Sequence, residues 1–147
     1  NAIALEEKFG LFDSHWTPKI IAQLNGQDVK LAKIQGDFIW HSHDNQDELF
    51  HVIHGHMTME FRDRKVDVGP GEIIVVPKGV EHRPVTKEEV WILLFEPQNI
   101  HHTGGQNTAR TVVQCEHFDA SPTRRHYPNQ IVDRSFTRQT KSTEHEQ

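Results

Sequence analysis

Short segments in which apolar and polar residues alternate make up most of the chain between residues 19 and 95. Successive side chains of a β-strand point to opposite faces, so this alternation predicts strands with one buried and one solvated face. Residues 19–24 and 29–34 flank Asn25-Gly26, a dipeptide that favours a two-residue hairpin turn. Further strands are predicted at residues 38–43, 48–54, 57–62, 73–76 and 90–95.

The segment Ile73-Ile74-Val75-Val76 is apolar throughout and lies between two turn signals, Pro70-Gly71 and Pro77-Lys78-Gly79. Proline presets φ and glycine accepts a positive φ, which is what a type II turn requires at its two central positions. A short β-branched run between two turns predicts a buried strand.

Many short strands joined by turns that contain Gly and Pro indicate an all-β sandwich or barrel. A short helix is predicted before it, because the apolar residues of segment 3–12 have roughly helical spacing and Gly10 limits its length. The chain divides into an N-terminal segment (residues 1–16), a barrel domain (17–115) and a polar C-terminal appendage (116–147). Residues 138–147 of the appendage are predicted to be disordered.

The composition limits the partners of this chain. Its net charge of −5 and pI near 6.2 argue against nucleic acid, whose binding normally requires a clustered basic surface. The sequence has no apolar run of the roughly 18 residues that a membrane span needs. The single cysteine, Cys115, has no intramolecular disulfide partner, so the chain suits a reducing compartment and we expect a cytoplasmic protein.

Candidate metal chemistry is concentrated around His41 and His43. These residues lie two positions apart in an extended segment, so their side chains share a face and can bind one ion. An unbroken strand would direct Glu48 to the opposite face, but the intervening residues 44–47 supply Asp and Asn, which favour a turn. His82 follows the Pro77-Lys78-Gly79 turn and completes a set of four candidate ligands.

With these positions the chain resembles the cupin superfamily. The first cupin motif contains His-x-His, Glu after four intervening residues and Gly after six more, which correspond to His41, His43, Glu48 and Gly55. The second motif, Gly, five residues, Pro-x-Gly, two residues and His, corresponds to Gly71, Pro77, Gly79 and His82. Two positions depart from the pattern: Gln35 stands where the leading Gly is expected, beside Gly36, and Thr86 replaces an Asn. Both departures lie outside the ligand set.

The resemblance covers roughly residues 17–100 and implies a double-stranded β-helix, the jelly-roll cupin barrel. Within the superfamily, the chain is similar to the small single-domain bacterial cupins described as mannose-6-phosphate-isomerase-like. The implied cofactor is one divalent transition metal ion held by His41, His43, Glu48 and His82. Three imidazoles and one carboxylate suit Zn, Fe, Ni, Mn or Cu, and the donor set does not choose among these metals.

Each of these residues also has a simpler interpretation. A single histidine is more often a surface or core residue than a ligand, so only the joint spacing supports the metal site. Glu48 alone would be a solvent-facing carboxylate at the start of a strand. His54 shares the face of Glu48 but lies far along the strand, which predicts a position at the rim rather than ligation.

The reaction stays open at the level of sequence, because fold alone does not determine chemistry. Four protein ligands leave positions for a small oxygenated molecule, such as a sugar or keto acid, to chelate the ion, and an isomerase-like activity is our first expectation. A sugar-phosphate isomerase also needs a general base and cations, but no inward Arg or Lys is identifiable and no catalytic residue is assigned. A non-catalytic module that senses a small ligand is a further alternative.

A metal-dependent dioxygenase is the other alternative. It would need a redox-active ion and a largely apolar cavity, with which several aromatic residues and methionines are compatible. The candidate pocket residues are Phe38, Phe50, Met57, Met59 and Phe61. Core packing is the simpler interpretation of the two methionines, since cores use Met as a gap filler.

Two tryptophans suggest a second copy of the chain as a partner. Trp40 precedes His41 in the predicted strand and should face away from the metal. Together with Trp91 it would leave a large apolar patch on the outer face of the sheet. Such patches generally mark interfaces, so we predict a homodimer.

Overall fold

One short helix and eight β-strands make up the computed structural model, which describes residues 2–98 and 116–118. In chain order they are α1 (Leu5–Phe9), β1 (Lys19–Leu24), β2 (Gln27–Asp37), β3 (Glu48–His54), β4 (Met57–Phe61), β5 (Lys65–Val68), β6 (Ile73–Val76), β7 (His82–Pro97) and β8 (Glu116–His117). The all-β class and the short N-terminal helix agree with the sequence prediction. No helix in the described part of the chain is long and apolar enough to cross a membrane.

The 16-residue strand β7 organises the sheet. Along one edge it pairs with β2, from Asp37 opposite Val85 to Gln27 opposite Pro97. Along its other edge it pairs first with β4 and then with β3, both antiparallel. A strand that changes partner along its length carries the sheet around a core, and the resulting fold is the predicted jelly roll.

The core is divided between the inside and the outside of this sheet. The inner cluster contains side chains from six strands, β2 to β7, and includes Met57 and Met59, which are fully buried. The outer cluster is formed by the N-terminal segment against the sheet and contains Phe9, Phe12, Ile21 and Leu31. The N-terminal helix is therefore held by its buried Phe9, because five residues form too few helical hydrogen bonds to be stable alone.

Two of the predictions about strands are wrong. Residues 38–43 do not form a regular strand and contribute only an isolated bridge between His41 and His82. The register of β2 against β7 shifts between Ile34 and Gly36, whose φ is 84°, the pairing ends at Asp37, and the chain then leaves the ladder. The prediction that β6 is buried is also wrong, because Ile73 and Val75 are 59% and 49% exposed. A continuous β-branched run conceals which of its residues face inward.

Two strands were absent from the sequence prediction. β5 follows a bend at residues 62–63 and pairs with β4. β8 pairs in parallel with β1, so residues 116–118 of the predicted appendage contact the sheet. The rest of the appendage, with its predicted disorder at residues 138–147, lies outside the described residues, as does Cys115.

The two outer tryptophans are each covered by side chains of their own chain. Phe9 stacks on Trp91 with ring centroids 4.8 Å apart, and Lys33 lies 5.2 Å from the same ring. The guanidinium groups of Arg62 and Arg83 lie 4.0 and 5.1 Å from the ring of Trp40. The expectation of a continuous apolar patch around the two tryptophans is therefore wrong, although the homodimer itself stays a prediction.

We predict that light scattering gives a mass of about twice 17.0 kDa for the chain in solution. A homodimer shields exposed apolar side chains of the kind that Ile73 and Val75 present. The mass should be constant over a dilution series, whereas a monomer mass at every concentration would contradict the prediction.

The hairpin glycine between β3 and β4 gives a test of the fold. Gly55 has a φ of 83°, and a Cβ there would lie 2.8 Å from the carbonyl oxygen of Glu89. Gly71 has nearly the same φ, 82°, but a Cβ there would meet nothing within 4 Å. We expect Gly71→Ala to lower the free energy of unfolding by about 1–2 kcal/mol, the cost of a left-handed backbone.

Gly55→Ala should cost roughly 1–3 kcal/mol beyond that, because the backbone around Glu89 must move. Urea denaturation of both variants measures the difference. Equal losses of stability would show that the close approach at Gly55 is relieved without cost.

Candidate metal centre

Three segments of the chain supply the candidate ligands. His41 and His43 lie in the extended segment before β3, Glu48 opens β3 and His82 opens β7. His41 and His82 exchange two backbone hydrogen bonds: the N–H of His41 donates to the carbonyl of His82 at 3.1 Å, and that of His82 donates back at 2.9 Å. This reciprocal bridge fixes two ligands that are distant in sequence next to each other.

The two loops around the site are also joined. The backbone N–H of Gly79 donates to the carbonyl of His43 at 2.8 Å, and that of Lys78 donates to the carboxylate of Asp47 at 2.9 Å. The chain bends at residues 44–45, as the turn chemistry predicted, and Glu48 then begins β3. These contacts bring Glu48 to the side of the histidines.

The four predicted ligands converge. One ligand atom from each of His41, His43, Glu48 and His82 lies within 4.8 Å of all the others, and all four side chains are buried. A carboxylate oxygen of Glu48 lies 3.3 Å from Nε2 of His43 and 3.4 Å from Nε2 of His82. His54 lies at the exposed end of β3, as predicted, and is not part of this group.

Backbone carbonyls orient two of the imidazoles. Nδ1 of His41 lies 3.0 Å from the carbonyl oxygen of Ile39, and Nδ1 of His82 lies 2.9 Å from that of Val80. A carbonyl oxygen only accepts, so each Nδ1 carries the proton and donates it. In the neutral ring the lone pair is then on Nε2, the arrangement that metal-binding histidines usually show.

The remaining polar atoms show whether the residues fit a metal ion. Nε2 of His43, Nε2 of His82 and Oε2 of Glu48 are buried without a hydrogen-bond partner in the described part of the protein. An unsatisfied buried polar group costs about 1–3 kcal/mol, and three at one point need an explanation. A divalent cation would satisfy all three together, and imidazole nitrogen with carboxylate oxygen suits Zn and its neighbours.

Electrostatics favour the protonation states that metal binding needs. Burial and, to a smaller extent, the nearby His82 lower the pKa of His41 to about 4, so this ring is neutral. Burial alone would raise the pKa of Glu48, but its contacts with His43 and His82 outweigh burial, lower the pKa and keep the carboxylate ionised. Burial likewise opposes protonation of His43, yet Glu48 raises the pKa of this ring, so a proton competes with a metal ion there.

A cavity adjoins the four side chains. It opens to solvent, and His41 and Glu48 form part of its wall. Its apolar walls include Trp16, Ile34, Phe38, Phe50, Ile92 and Leu94. The ligand group and the cavity therefore share two residues.

The predicted pocket residues divide into two groups. Phe38 and Phe50 line the cavity, whereas Met57, Met59 and Phe61 are buried in the core and are not among its lining residues. The cavity is lined from the segment before β1, from β2 and the loop after it, and from β3 and β7, so β4 contributes none of the described lining residues. Alternation identified the inward face correctly but did not show the position along the barrel.

Sequence reasoning missed Trp16 as a residue of the cavity wall. Its φ of 57° is left-handed, which for a residue other than glycine costs on the order of 1–3 kcal/mol. Its backbone N–H donates to the carbonyl of Lys33 at 2.9 Å, and its indole Nε1 donates to that of Gln35 at 3.0 Å. The segment around Trp16 has no periodic pattern, so nothing in the sequence indicated its position.

Sequence reasoning also missed a buried ionic group. Nζ of Lys30 lies 2.8 Å from Oε1 of Glu96 and 3.8 Å from Oδ2 of Asp28, and all three side chains are buried. Burial and the charge of Glu48 raise the pKa of Glu96, and Lys30 only partly offsets them. Lys30 is thus the inward lysine that the sequence did not identify, and alternation with the outward-facing Leu31 was the signal for it.

Comparisons with known proteins agree with this geometry. The model of the Cupin_2 family, described as a cupin domain, matches residues 27–96, a range that contains all four candidate ligands. A protein of Bacillus subtilis, the uncharacterized protein YdbB, is 36% identical over 64 residues, which are 43% of this chain. The match spans 57% of the length of that relative.

Two solved structures match more of their own length. The structure of a cupin-2 domain containing protein from Shewanella frigidimarina is 44% identical, with a TM-score of 0.65 over 66% of this chain and 95% of that chain. The protein NMB1881 from Neisseria meningitidis is 31% identical, with a TM-score of 0.62 over 67% of this chain and 100% of that chain. The identity, the coverage and the shared fold lead to one conclusion: the chain belongs to the Cupin_2 family of the cupin superfamily.

Proposed function

We propose that this cupin binds one divalent transition metal ion through His41, His43, Glu48 and His82 and acts on a small oxygenated molecule in the adjoining cavity. The observation that carries the proposal is that the four buried donor groups converge and that two of them, His41 and Glu48, form part of the wall of that cavity. A structural metal site would need no cavity beside it, whereas a catalytic or sensing site does.

The side chains around the site would each have a defined role. The carbonyls of Ile39 and Val80 hold two imidazoles with Nε2 toward the centre, and Glu48 supplies the negative charge. A bound transition metal would supply Lewis-acid chemistry and, if redox-active, chemistry with oxygen. The apolar walls of the cavity exclude water and orient the ligand against the site.

The cavity favours oxygenation over sugar-phosphate isomerisation. No Lys or Arg is among the described residues that line it, and the inward ammonium of Lys30 already pairs with Glu96. A phosphate group in this cavity would therefore lack a cation, which buried anions require. We accordingly place the dioxygenase ahead of the isomerase that the sequence suggested first.

We predict that the chain, once reconstituted, holds one equivalent of a divalent transition metal, measured by elemental analysis after dialysis. His82→Ala should lower the affinity at least about 100-fold, since removal of even an outer partner of a ligand costs 10–100-fold. His54→Ala is the matched control, because His54 lies on a neighbouring strand but is exposed and outside the ligand group. Equal losses in the two variants would contradict the assignment of the ligands.

A second prediction separates the reaction classes. Ligands with two adjacent oxygen donors should perturb the visible spectrum of the cobalt-substituted protein, because they would bind beside Glu48 and the histidines. For a dioxygenase, oxygen uptake should occur with the iron form and be absent with the zinc form. Anaerobic exchange of a proton beside the ligand carbonyl would indicate an isomerase instead. Binding of a ligand without either reaction would indicate a non-catalytic module that senses the ligand.

A further inference from the structure

We propose that Trp16, stacked on Phe38, is a specificity-determining wall of the cavity, and that the body of the ligand is a flat apolar ring rather than a polyhydroxylated chain. This inference deepens the proposed function and rests on it for the position of the oxygen donors. It adds the chemical class of the ligand and a residue that selects it.

The cavity offers little to a polyhydroxylated ligand. Of the described residues that line it, only His41 and Glu48 have polar side chains, and both belong to the proposed ligand group. Hydroxyl groups along a sugar would lose water there without gaining a side-chain partner, which is unfavourable. A ligand that carries its oxygens at one end and an apolar body at the other fits this distribution.

The aromatic rings determine the shape that the cavity accepts. The rings of Trp16 and Phe38 stack with centroids 4.6 Å apart and planes inclined by 16°, and Phe50 adds a third ring to the wall. Aromatic rings pair favourably in offset-stacked or edge-to-face arrangements, which a planar ligand can join. A flat ring therefore gains contacts here that an aliphatic chain of equal size does not.

The position of Trp16 is maintained at a conformational cost. Its left-handed backbone is held by the hydrogen bond to Lys33, and its indole N–H is bound by the carbonyl of Gln35. The polar atom of the ring is thus directed to the backbone, so the ring contributes an apolar surface to the cavity. Strained residues often occur at ligand sites, where the surrounding structure fixes a geometry that the ligand needs.

The wall and the ligand group come from different parts of the chain. The four candidate metal ligands lie inside the range that matches the family, residues 27–96, whereas Trp16 and the other lining residue of its segment, Pro18, precede it. The N-terminal segment therefore adds to the shared site a wall that can select the ligand of this protein.

The test compares two probes that share a pair of adjacent oxygen donors. Catechol has a flat apolar ring, and glycolate has none. Both are titrated into the cobalt-loaded full chain by absorption spectroscopy and calorimetry. Catechol also chelates metal ions more strongly than glycolate, so the measured quantity is the change in the ratio of the two affinities on mutation of Trp16, at least about fivefold for one aromatic contact.

The variants are Trp16→Leu, which keeps apolar bulk but loses the flat face, and Trp16→Phe, which restores a ring. Trp16→Leu should weaken catechol binding at least about fivefold and leave glycolate binding and metal content unchanged, whereas Trp16→Phe should recover most of the affinity for catechol. Trp40→Leu is the matched control, because Trp40 contacts Arg62 and is not among the lining residues. Melting temperatures check that each variant is folded.

Equal weakening of both probes in Trp16→Leu, or no change in either, would overturn the proposal in favour of a packing role for Trp16. Phenol, which has a ring but no chelating pair, separates this outcome from a failure of the proposed function. If neither chelator perturbs the cobalt spectrum but phenol binds by ligand-observed NMR and loses binding in Trp16→Leu, chelation is wrong and the aromatic wall stands. If phenol and catechol both fail to bind the wild-type protein, the proposed wall is wrong.

Discussion

The candidate site depends on one pair of backbone hydrogen bonds, those that His41 and His82 exchange. They join a loop segment that has left the ladder of β2 to the first residue of the longest strand, β7. With the backbones held, the two rings lie with centroids 4.3 Å apart, each oriented by a carbonyl of its own loop. The buried Glu48 then completes a group whose polar atoms satisfy one another poorly, and this is a cost that the fold carries for binding.

The sequence predicted the local features of this arrangement because local chemistry determines them. Asn25 and Gly26 both have a positive φ, as a two-residue hairpin requires, and the ends of β1, β3 and β6 agree with the prediction. The spacing of His41, His43 and Glu48 was informative for the same reason, since the turn between them is encoded within five residues. What alternation cannot supply is the partner of each strand, and the exposed face of β6 and the bridge that replaces the predicted strand at 38–43 depend on partners.

The two groups of residues that the sequence did not reveal depend on contacts between distant segments. Lys30 and Glu96 meet because β2 and β7 pair in a register that places Leu94 opposite Lys30 and Asp28 opposite Glu96. A buried lysine resembles a surface lysine until that register is known, although its alternation with apolar neighbours is a usable signal. The position of Trp16 is harder to predict than that of Lys30. Its left-handed backbone and its stacking on Phe38 arise from contacts with β2, which no local sequence pattern reveals.

The charge of Glu48 links the candidate metal site to the buried Lys30–Glu96 pair. Glu48 stays ionised because the histidines outweigh its burial, and its charge in turn helps to raise the pKa of Glu96, which Lys30 only partly offsets. A cation between Glu48 and the histidines would remove much of the negative potential at Glu96 and so favour the ionised form of that carboxyl as well. With a cation bound, the ionised Glu96 would therefore neutralise the charge of Lys30 more fully. The apolar wall formed by Trp16 and Phe38 excludes water from the cavity beside Glu48. Because less water screens the charge of Glu48, the residues that shape the cavity also strengthen the electrostatic field inside it.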